Sequence, residues 1–385
     1  APPPEPGPVF IALLLPLSGP SAALGEAQLA AAQLALFEIG SERLVLLPKD
    51  TGGAPEGAVR AVSEAVAEGA SLILGPLFST SVAAIAPLAR AAGVNVVAFS
   101  SDRAVAGRGI FLMGFIPYQP VERVVTYAVA QGLTSFAALT PDTPYGREMV
   151  AELRRVAAAT GAQVVEVAYY LPDDPDRSAV VRRLARYEER HAALMAMRRD
   201  LEAQDDELAR RALEKLDTQD TLGEVPFNAV LLPDSGSRLR TVASYLPLFD
   251  VDLPEVRVVG TAEWEDPATL REPSLVGGWF AAPPRQARIR FEARFARVYG
   301  RQPPRLASLA YDAVALAGTL ALMPEGPDFS VERLATPSGY SGVDGIFRFG
   351  PDGAAERGLA VFEVTAEGVK TVSPAPTTFE ELGYY

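Results

Sequence analysis

Val9-Phe-Ile-Ala-Leu-Leu-Leu15, running straight into Pro16-Leu-Ser-Gly-Pro20, decides the fold of this chain. Successive side chains of a strand point to opposite faces, so a strand with one wet face alternates apolar and polar residues. Seven apolar residues in a row read instead as a strand buried on both faces, which is the habit of parallel sheet covered by helices. Pro16 and Gly19 stop the run, and the Ala/Leu-rich stretch from Leu24 to Ile39 reads as the covering helix.

Outward from that stretch the rhythm of strand, loop and helix repeats. Strands are expected at Leu44–Leu47, Ser71–Leu74 and Val94–Phe99, with helices at Glu56–Glu68 and Ser81–Ala92. After Pro117 the pattern starts again: helix Val121–Ala130, strand Ser135–Leu139, helix Glu148–Ala159, strand Gln163–Tyr169, then strands Phe227–Leu232 and Val256–Gly260. Two helices, Ala287–Tyr299 and Ser308–Leu322, follow the pair Pro283-Pro284. Turn signals at Pro351-Asp-Gly353 and Ala366-Glu-Gly368 mark the tail from Gly345 onward as short strands. The pattern predicts an α/β protein made of two doubly wound, mostly parallel sheets flanked by helices.

One segment departs from the rhythm. Asp176–Leu222 holds neither glycine nor proline, and it interleaves arginines such as Arg182, Arg198 and Arg210 with Glu188, Asp205 and Glu207. Leu184, Tyr187, His191, Leu194, Leu201 and Leu208 recur at helical spacing, so it reads as an extended amphipathic helix or a helical hairpin. It is either a solvated helix packed by one stripe or an arm that docks a partner. His191 within it reads as a packing residue.

Composition removes whole classes of function. The 385 residues carry 35 basic and 48 acidic side chains, a formal charge of −13, which argues against nucleic acid and anionic lipid as partners. There is no cysteine and one histidine, so disulfides, thiolate zinc sites, cysteine nucleophiles and histidine-rich metal centres are excluded within one chain. No metal and no cofactor is expected. No apolar run approaches the roughly 20 residues of a membrane span. The opening Ala1-Pro-Pro-Pro-Glu-Pro-Gly-Pro8 reads as an extended polyproline-type tether, as in an exported form whose signal has been removed.

In doubly wound sheets ligands bind at the carboxyl ends of the strands. The loops to read are therefore Leu15–Pro20 with Ser18, Gly75-Pro-Leu-Phe-Ser-Thr-Ser81, and Phe99-Ser-Ser-Asp102. Ser79, Thr80 or Ser81 either caps the next helix or leaves that helix's N–H groups for an anion or carbonyl oxygen. The glycine-rich dinucleotide and Walker patterns are absent. In the second half the loops are Thr140–Gly146, Pro233-Asp-Ser-Gly236 and Thr261-Ala-Glu-Trp-Glu265. Tyr145 offers a flat face and a hydroxyl, and Asp234 and Glu263 offer acceptors for an ammonium or hydroxyl. Trp264 either lines a cleft or packs. An enzyme on this chain would have to use a carboxylate pair such as Asp234 and Glu263, and no nucleophile–base arrangement accompanies them.

Leu17-Ser-Gly-Pro20 with Gly25, Leu74-Gly-Pro-Leu-Phe-Ser79, Pro141-Asp-Thr-Pro-Tyr-Gly146 and Tyr311-Asp-Ala-Val314 occur here in an order and spacing that resembles the type I periplasmic binding proteins of the leucine/isoleucine/valine-binding family. The resemblance runs over roughly residues 9 to 365. Leu13-Leu-Leu-Pro-Leu-Ser-Gly19, Pro48-Lys-Asp-Thr-Gly-Gly53 and the charged insertion look closer to a subgroup of bacterial lipoproteins described as penicillin-binding-protein activators.

The resemblance implies two lobes joined by three crossovers, with a solute in the cleft between them. It implies a first lobe of residues 9–117 and 284–344, a second of 118–283 and 345–385, an insertion at about 176–222 and a Pro-rich tether at 1–8. By family pattern Ser79 and the Ser100/Ser101 turn hold a ligand carboxylate, and Ser18, Phe78 and Thr80 are further candidate ligand-binding residues. Tyr145 covers the ligand, and Glu263 stands where the family places an acid for the α-amino group. Leu24, Asp102 and Asp234 depart from that pattern, and the two acids point to a cationic or polyhydroxylic solute, or to none. The expected function is a periplasmic solute-binding protein of the ABC-transporter type, non-enzymatic, that closes on a small polar ligand and meets a membrane permease. The alternative is a non-transport lipoprotein, held by an N-terminal lipid anchor, that activates a cell-wall synthase of the penicillin-binding class.

Overall fold

The structure is a computed structural model and describes residues 7–204, 206–252 and 255–380. Most of the Pro-rich tether (residues 1–6), Asp205 of the insertion and residues 381–385 lie outside the described residues. Two compact units divide the chain: 7–116, 283–358 and 375–380 form the first, and 117–282 and 359–374 the second.

The first unit is built on β1 (Val9–Leu15), α1 (Ala22–Ile39), β2 (Leu44–Asp50), α2 (Pro55–Ala67), β3 (Leu72–Leu74), α3 (Ser79–Ala92), β4 (Asn95–Ala98) and β5 (Ile110–Leu112). The sheet order is β2-β1-β3-β4-β5 and every pairing is parallel. β1 lies inside it, and its unbroken apolar run is explained by what covers each face. Ile11, Leu13 and Leu15 join one core cluster with Ala32 and Ala35 of α1, while Ala12 and Leu14 join another with Ala58 and Val62 of α2 and Val82 and Ile85 of α3.

The second unit contains α4 (Gln119–Ala130), β6 (Ser135–Pro141), α5 (Pro144–Thr160), β7 (Gln163–Tyr170), α6 (Ser178–Leu184), α7 (Tyr187–Glu202), α8 (Glu207–Leu216), β8 (Ala229–Leu232), α9 (Gly236–Tyr245), β9 (Arg257–Gly260) and β10 (Trp279–Ala282). The chain then returns to the first unit with α10 (Arg285–Tyr299), α11 (Ala307–Ala321), α12 (Val331–Leu334), β11 (Tyr340–Gly342), β12 (Gly345–Phe349) and β13 (Ala355–Arg357). Leu309, Ala313 and Ala317 of α11 complete the core on the α1 side of the first sheet. β14 (Ala360–Thr365) and β15 (Gly368–Ser373) finish the second sheet, whose order is β15-β14-β10-β9-β8-β6-β7. Its β7 to β10 pairings are parallel, and β14 and β15 add antiparallel.

Three expectations are corrected. Residues 345–358 belong to the first unit, because β12 pairs with β11 and β13 and sends Phe347 and Phe349 into that core, Phe349 lying 5.1 Å from Phe111. The chain passes between units four times, not three. The extra passage returns residues 375–380 to the first unit, where Phe379 is buried under the Arg348 guanidinium at 4.6 Å. The insertion is three helices: Arg186 takes a left-handed conformation (φ 48°) that ends α6 and starts α7, and α7 and α8 pack as the hairpin. His191 stacks on Tyr187 with ring centroids 5.8 Å apart and bonds the Asp220 carbonyl through Nδ1 at 2.7 Å, a packing role. β5 and β10, three and four residues long, are not among the expected strands.

Candidate functional site

In the first unit the loops after β1, β3 and β4 leave neighbouring strands at the same edge of the sheet. The loop after β1 is tied down by Asp50, the last residue of β2. One of its oxygens accepts from the N–H groups of Leu17 (2.9 Å), Ser18 (3.1 Å) and Gly52 (2.7 Å). Burial pushes the Asp50 carboxyl up, but the Ser18 hydroxyl and these N–H groups outweigh it and hold it below the ordinary carboxylate value. Ser18 is exposed, with its hydroxyl and N–H both directed to Asp50.

The loop after β3 resolves the capping question. Phe78, extended at φ −86° and ψ 136°, occupies the position before α3, and no side chain caps the helix. Neither Ser79, Thr80 nor Ser81 does so. Ser79 is half-buried, Thr80 exposed, and Ser81 fully buried with its hydroxyl lacking a partner. The first-turn N–H groups of a 14-residue helix thus carry their partial positive charge to the end of β3 without a side-chain acceptor.

The loop after β4 is a local turn. Buried Ser100 accepts the Asp102 N–H at 3.1 Å, and Asp102 accepts the Ala104 N–H at 3.0 Å, starting a short 3₁₀ turn at Arg103–Val105. Asp102 therefore serves its own backbone. Ser101 beside it is exposed.

In the second unit the parallel strands β7, β6, β8 and β9 end side by side, and four loops meet there. Thr143 caps α5 through the Gly146 N–H (3.1 Å) and sets Tyr145 in the first turn, with its hydroxyl 3.3 Å from Thr261 Oγ1. Burial, reinforced by the negative charges of Glu263, Asp234 and Glu148, pushes the Tyr145 phenol up to about 12 against the Thr261 hydrogen bond. Tyr145 is accordingly protonated at neutral pH. Glu263 is exposed.

Asp234 differs from the expectation. It is 4% exposed, and its two oxygens accept from the Tyr170 hydroxyl (2.6 Å), Arg238 Nε and Nη2 (3.1 and 2.8 Å) and the Ser235 N–H (2.8 Å). Its charge is spent inside the protein. Trp264 is fully buried and donates its indole N–H to the Leu232 carbonyl at 3.1 Å, so it packs and lines nothing.

Asp50, Tyr170, Arg238 and Thr261 were not singled out in the sequence. The spacing of four between Asp234 and Arg238 at a helix start was the one available signal. The others depend on which strand ends become neighbours. Chemically, the first unit's edge suits an anion or carbonyl oxygen, and the second unit's edge offers hydroxyls and the exposed carboxylate of Glu263. Among the described residues no three His, Cys, Asp or Glu side chains gather to hold a metal ion, and no helix is long and apolar enough to cross a membrane.

Residues 8–197 match the family model described as periplasmic binding protein. An uncharacterized protein of Rickettsia prowazekii (strain Madrid E) is 23% identical over 168 residues, a stretch that spans 44% of this chain and 44% of that relative. Among solved structures, a branched-chain amino acid ABC transporter periplasmic ligand-binding protein from Burkholderia xenovorans LB400 superposes with a TM-score of 0.67 at 18% identity, covering 95% of this chain and 94% of the other. Full-length LpoA from Haemophilus influenzae gives a TM-score of 0.66 at 16% identity, covering 96% of this chain and 59% of that one. At these identities the structural likeness shows a shared fold.

Proposed function

Through residues 8–197 the chain belongs to the periplasmic binding protein family, and from that premise we propose that it is an extracytoplasmic solute-binding protein of the ABC-transporter type, which holds a small polar ligand through the strand-end groups described above. The observation that carries this reading is the uncapped start of α3 beside Ser79 and Thr80, with the Ser81 hydroxyl buried and unpartnered. First-turn N–H groups without a side-chain acceptor suit a carboxylate or carbonyl oxygen. The groups on the second edge are Tyr145, Thr261 and Glu263. Asp234 stands behind them as a support for Tyr170 and Arg238. The ligand class that fits is a carboxylate-bearing molecule with a hydrogen-bond donor, an amino acid or similar.

Isothermal titration against a panel of amino acids, hydroxy acids, polyamines and aromatic acids tests the reading. Ser79→Ala and Tyr145→Phe are each expected to weaken the ligand that binds by about tenfold, the equivalent of one lost hydrogen bond. Glu263→Gln is expected to do the same for a ligand with an ammonium group. A ligand bound equally well by wild type and all three variants would mean that other residues hold it.

A second reading is favoured by the insertion. On α7 only Leu194 is buried and on α8 only Ala209, while Leu208 is 76% exposed and Met197 43%. These apolar side chains in a charged helical hairpin fit a protein partner, and we extend the proposal to a regulatory lipoprotein that activates a penicillin-binding cell-wall synthase. Addition of the intact chain should then raise glycan polymerisation by a purified synthase, and Leu208→Asp should abolish the increase. No stimulation by the intact chain would retire this reading.

A further inference from the structure

A buried ionic cluster in the first unit lies where the chain leaves and re-enters it. Arg357, buried at the end of β13, is one residue before the Gly358–Leu359 passage and donates from Nη2 to the Met113 carbonyl (2.7 Å), three residues before the Ile116–Pro117 passage. The Phe115 ring lies under two guanidiniums, Arg305 at 4.0 Å and Arg357 at 4.8 Å. Asp344 is fully buried and takes Arg305 (2.8 Å) and the Ser308 hydroxyl (2.7 Å).

The turn that carries Asp344 also touches the remaining passages. A methyl group on Gly345, which is held at φ +85°, would stand 2.8 Å from Pro284 Cδ and 3.3 Å from the Gly358 carbonyl oxygen. Pro284 follows the Ala282–Pro283 passage, and the Gly358 N–H donates to the Ile346 carbonyl at 3.0 Å. Pro376, just after the fourth passage, lies against Gly358.

Asp312 of α11 holds this turn from the other side. It is 2% exposed; its Oδ1 accepts the Val343 N–H at 2.9 Å, and its Oδ2 has no hydrogen-bond partner. The charged groups facing it are Asp344 from the turn and Arg357 from β13, with Arg305 beyond Asp344. Its neighbour Tyr311 is engaged by Glu38 of α1.

We propose that Asp312 is the proton-sensitive member of a clamp that holds the crossover segments in the first unit, and that the hold slackens as Asp312 gives up its proton. Burial, and next the Asp344 charge, push the Asp312 carboxyl up from its ordinary 3.8 to about 7. When the turn opens to water the value falls back toward 3.8, so the closed form keeps a proton that the open form releases. Rising pH therefore favours opening up to about pH 7, above which both forms are ionised and the effect levels off. Asp344 is held below its ordinary value, because its arginines and Ser308 outweigh the effect of burial, and it stays ionised throughout this window. This inference stands apart from the ligand-binding reading.

Hydrogen exchange by mass spectrometry on the full chain tests it. Corrected for intrinsic rates, opening of peptides covering 113–117, 283–286, 343–346 and 356–359 is expected to rise about tenfold between pH 6 and pH 8 and then level. Peptides from α2 and α3 should show no such rise. Asp312→Asn, which keeps an acceptor for Val343, should remove the pH dependence from all four segments. The same rise in the variant, or none in wild type, would overturn the proposal. Should the variant fail to fold, carboxyl carbon NMR of wild type decides: one aspartate with a midpoint between pH 6 and 8 supports the clamp, and none above pH 5 overturns it.

Discussion

Trp264→Ala is expected to destabilise the second unit by about 3–5 kcal/mol, the range for deleting a fully buried large aromatic side chain. Trp264 is 0% exposed, its indole N–H is matched to the Leu232 carbonyl, and its ring lies against Phe280 with centroids 6.0 Å apart. The backbone has been cleared for it: a methyl group on Gly260 would stand 2.0 Å from Trp264 Cε2, and one on Gly278 3.1 Å from Cζ3. Removal therefore leaves a void between two glycines that have no side chains to fill it, and a carbonyl at the end of β8 without its donor. The same geometry makes Gly260→Ala disruptive, because the indole and the methyl cannot occupy one place. Urea unfolding followed by far-ultraviolet circular dichroism measures both. A loss below about 1 kcal/mol for Trp264→Ala would mean that the 3₁₀ turn at Ala262–Trp264 is not part of the cooperative core.

Asp234→Ala should cost about 2–4 kcal/mol, most of it from groups left behind. Tyr170 is 2% exposed and its hydroxyl loses the acceptor 2.6 Å away, while burial and the Asp234 charge hold its phenol far above the ordinary value. Arg238, at 44% exposure, recovers part of its loss from water, which keeps the total below that of a fully buried pair. Tyr170→Phe on the Asp234→Ala background should restore about 1 kcal/mol, because the orphaned hydroxyl is gone. Unfolding of the two single variants and the double variant tests the pairing. Strict additivity would show that Tyr170 and Asp234 do not support each other. If Asp234 instead contacted a ligand cation directly, Asp234→Asn would abolish binding while leaving stability nearly intact. The four donors already on its oxygens predict the reverse.

The strand-end loops named from the sequence are the loops found at the two sheet edges, because a parallel sheet always brings its carboxyl ends to one edge. Which hydroxyls and charges remain available there was not legible. Ser79, Thr80 and Ser81 look like helix caps in one dimension, yet the extended Phe78 takes the position before the helix and leaves α3 open. Asp102 and Asp234 look like free acids, yet one serves the Ala104 N–H and the other Tyr170, Arg238 and Ser235.

By itself the sequence determined the layered α/β architecture, since apolar strands such as Val9–Leu15, alternating with amphipathic helices, read as parallel sheet covered on both faces. It also determined the helical character of the insertion, through spacing and the lack of glycine and proline. The tertiary structure alone decided where residues 345–358 pack, which acids are spent on neighbouring donors, and that Arg357, Asp344 and Asp312 gather at the crossovers. Local pattern reports periodicity along one chain, whereas a charge is neutralised by residues tens or hundreds of positions away, and only the folded backbone brings them within hydrogen-bonding distance.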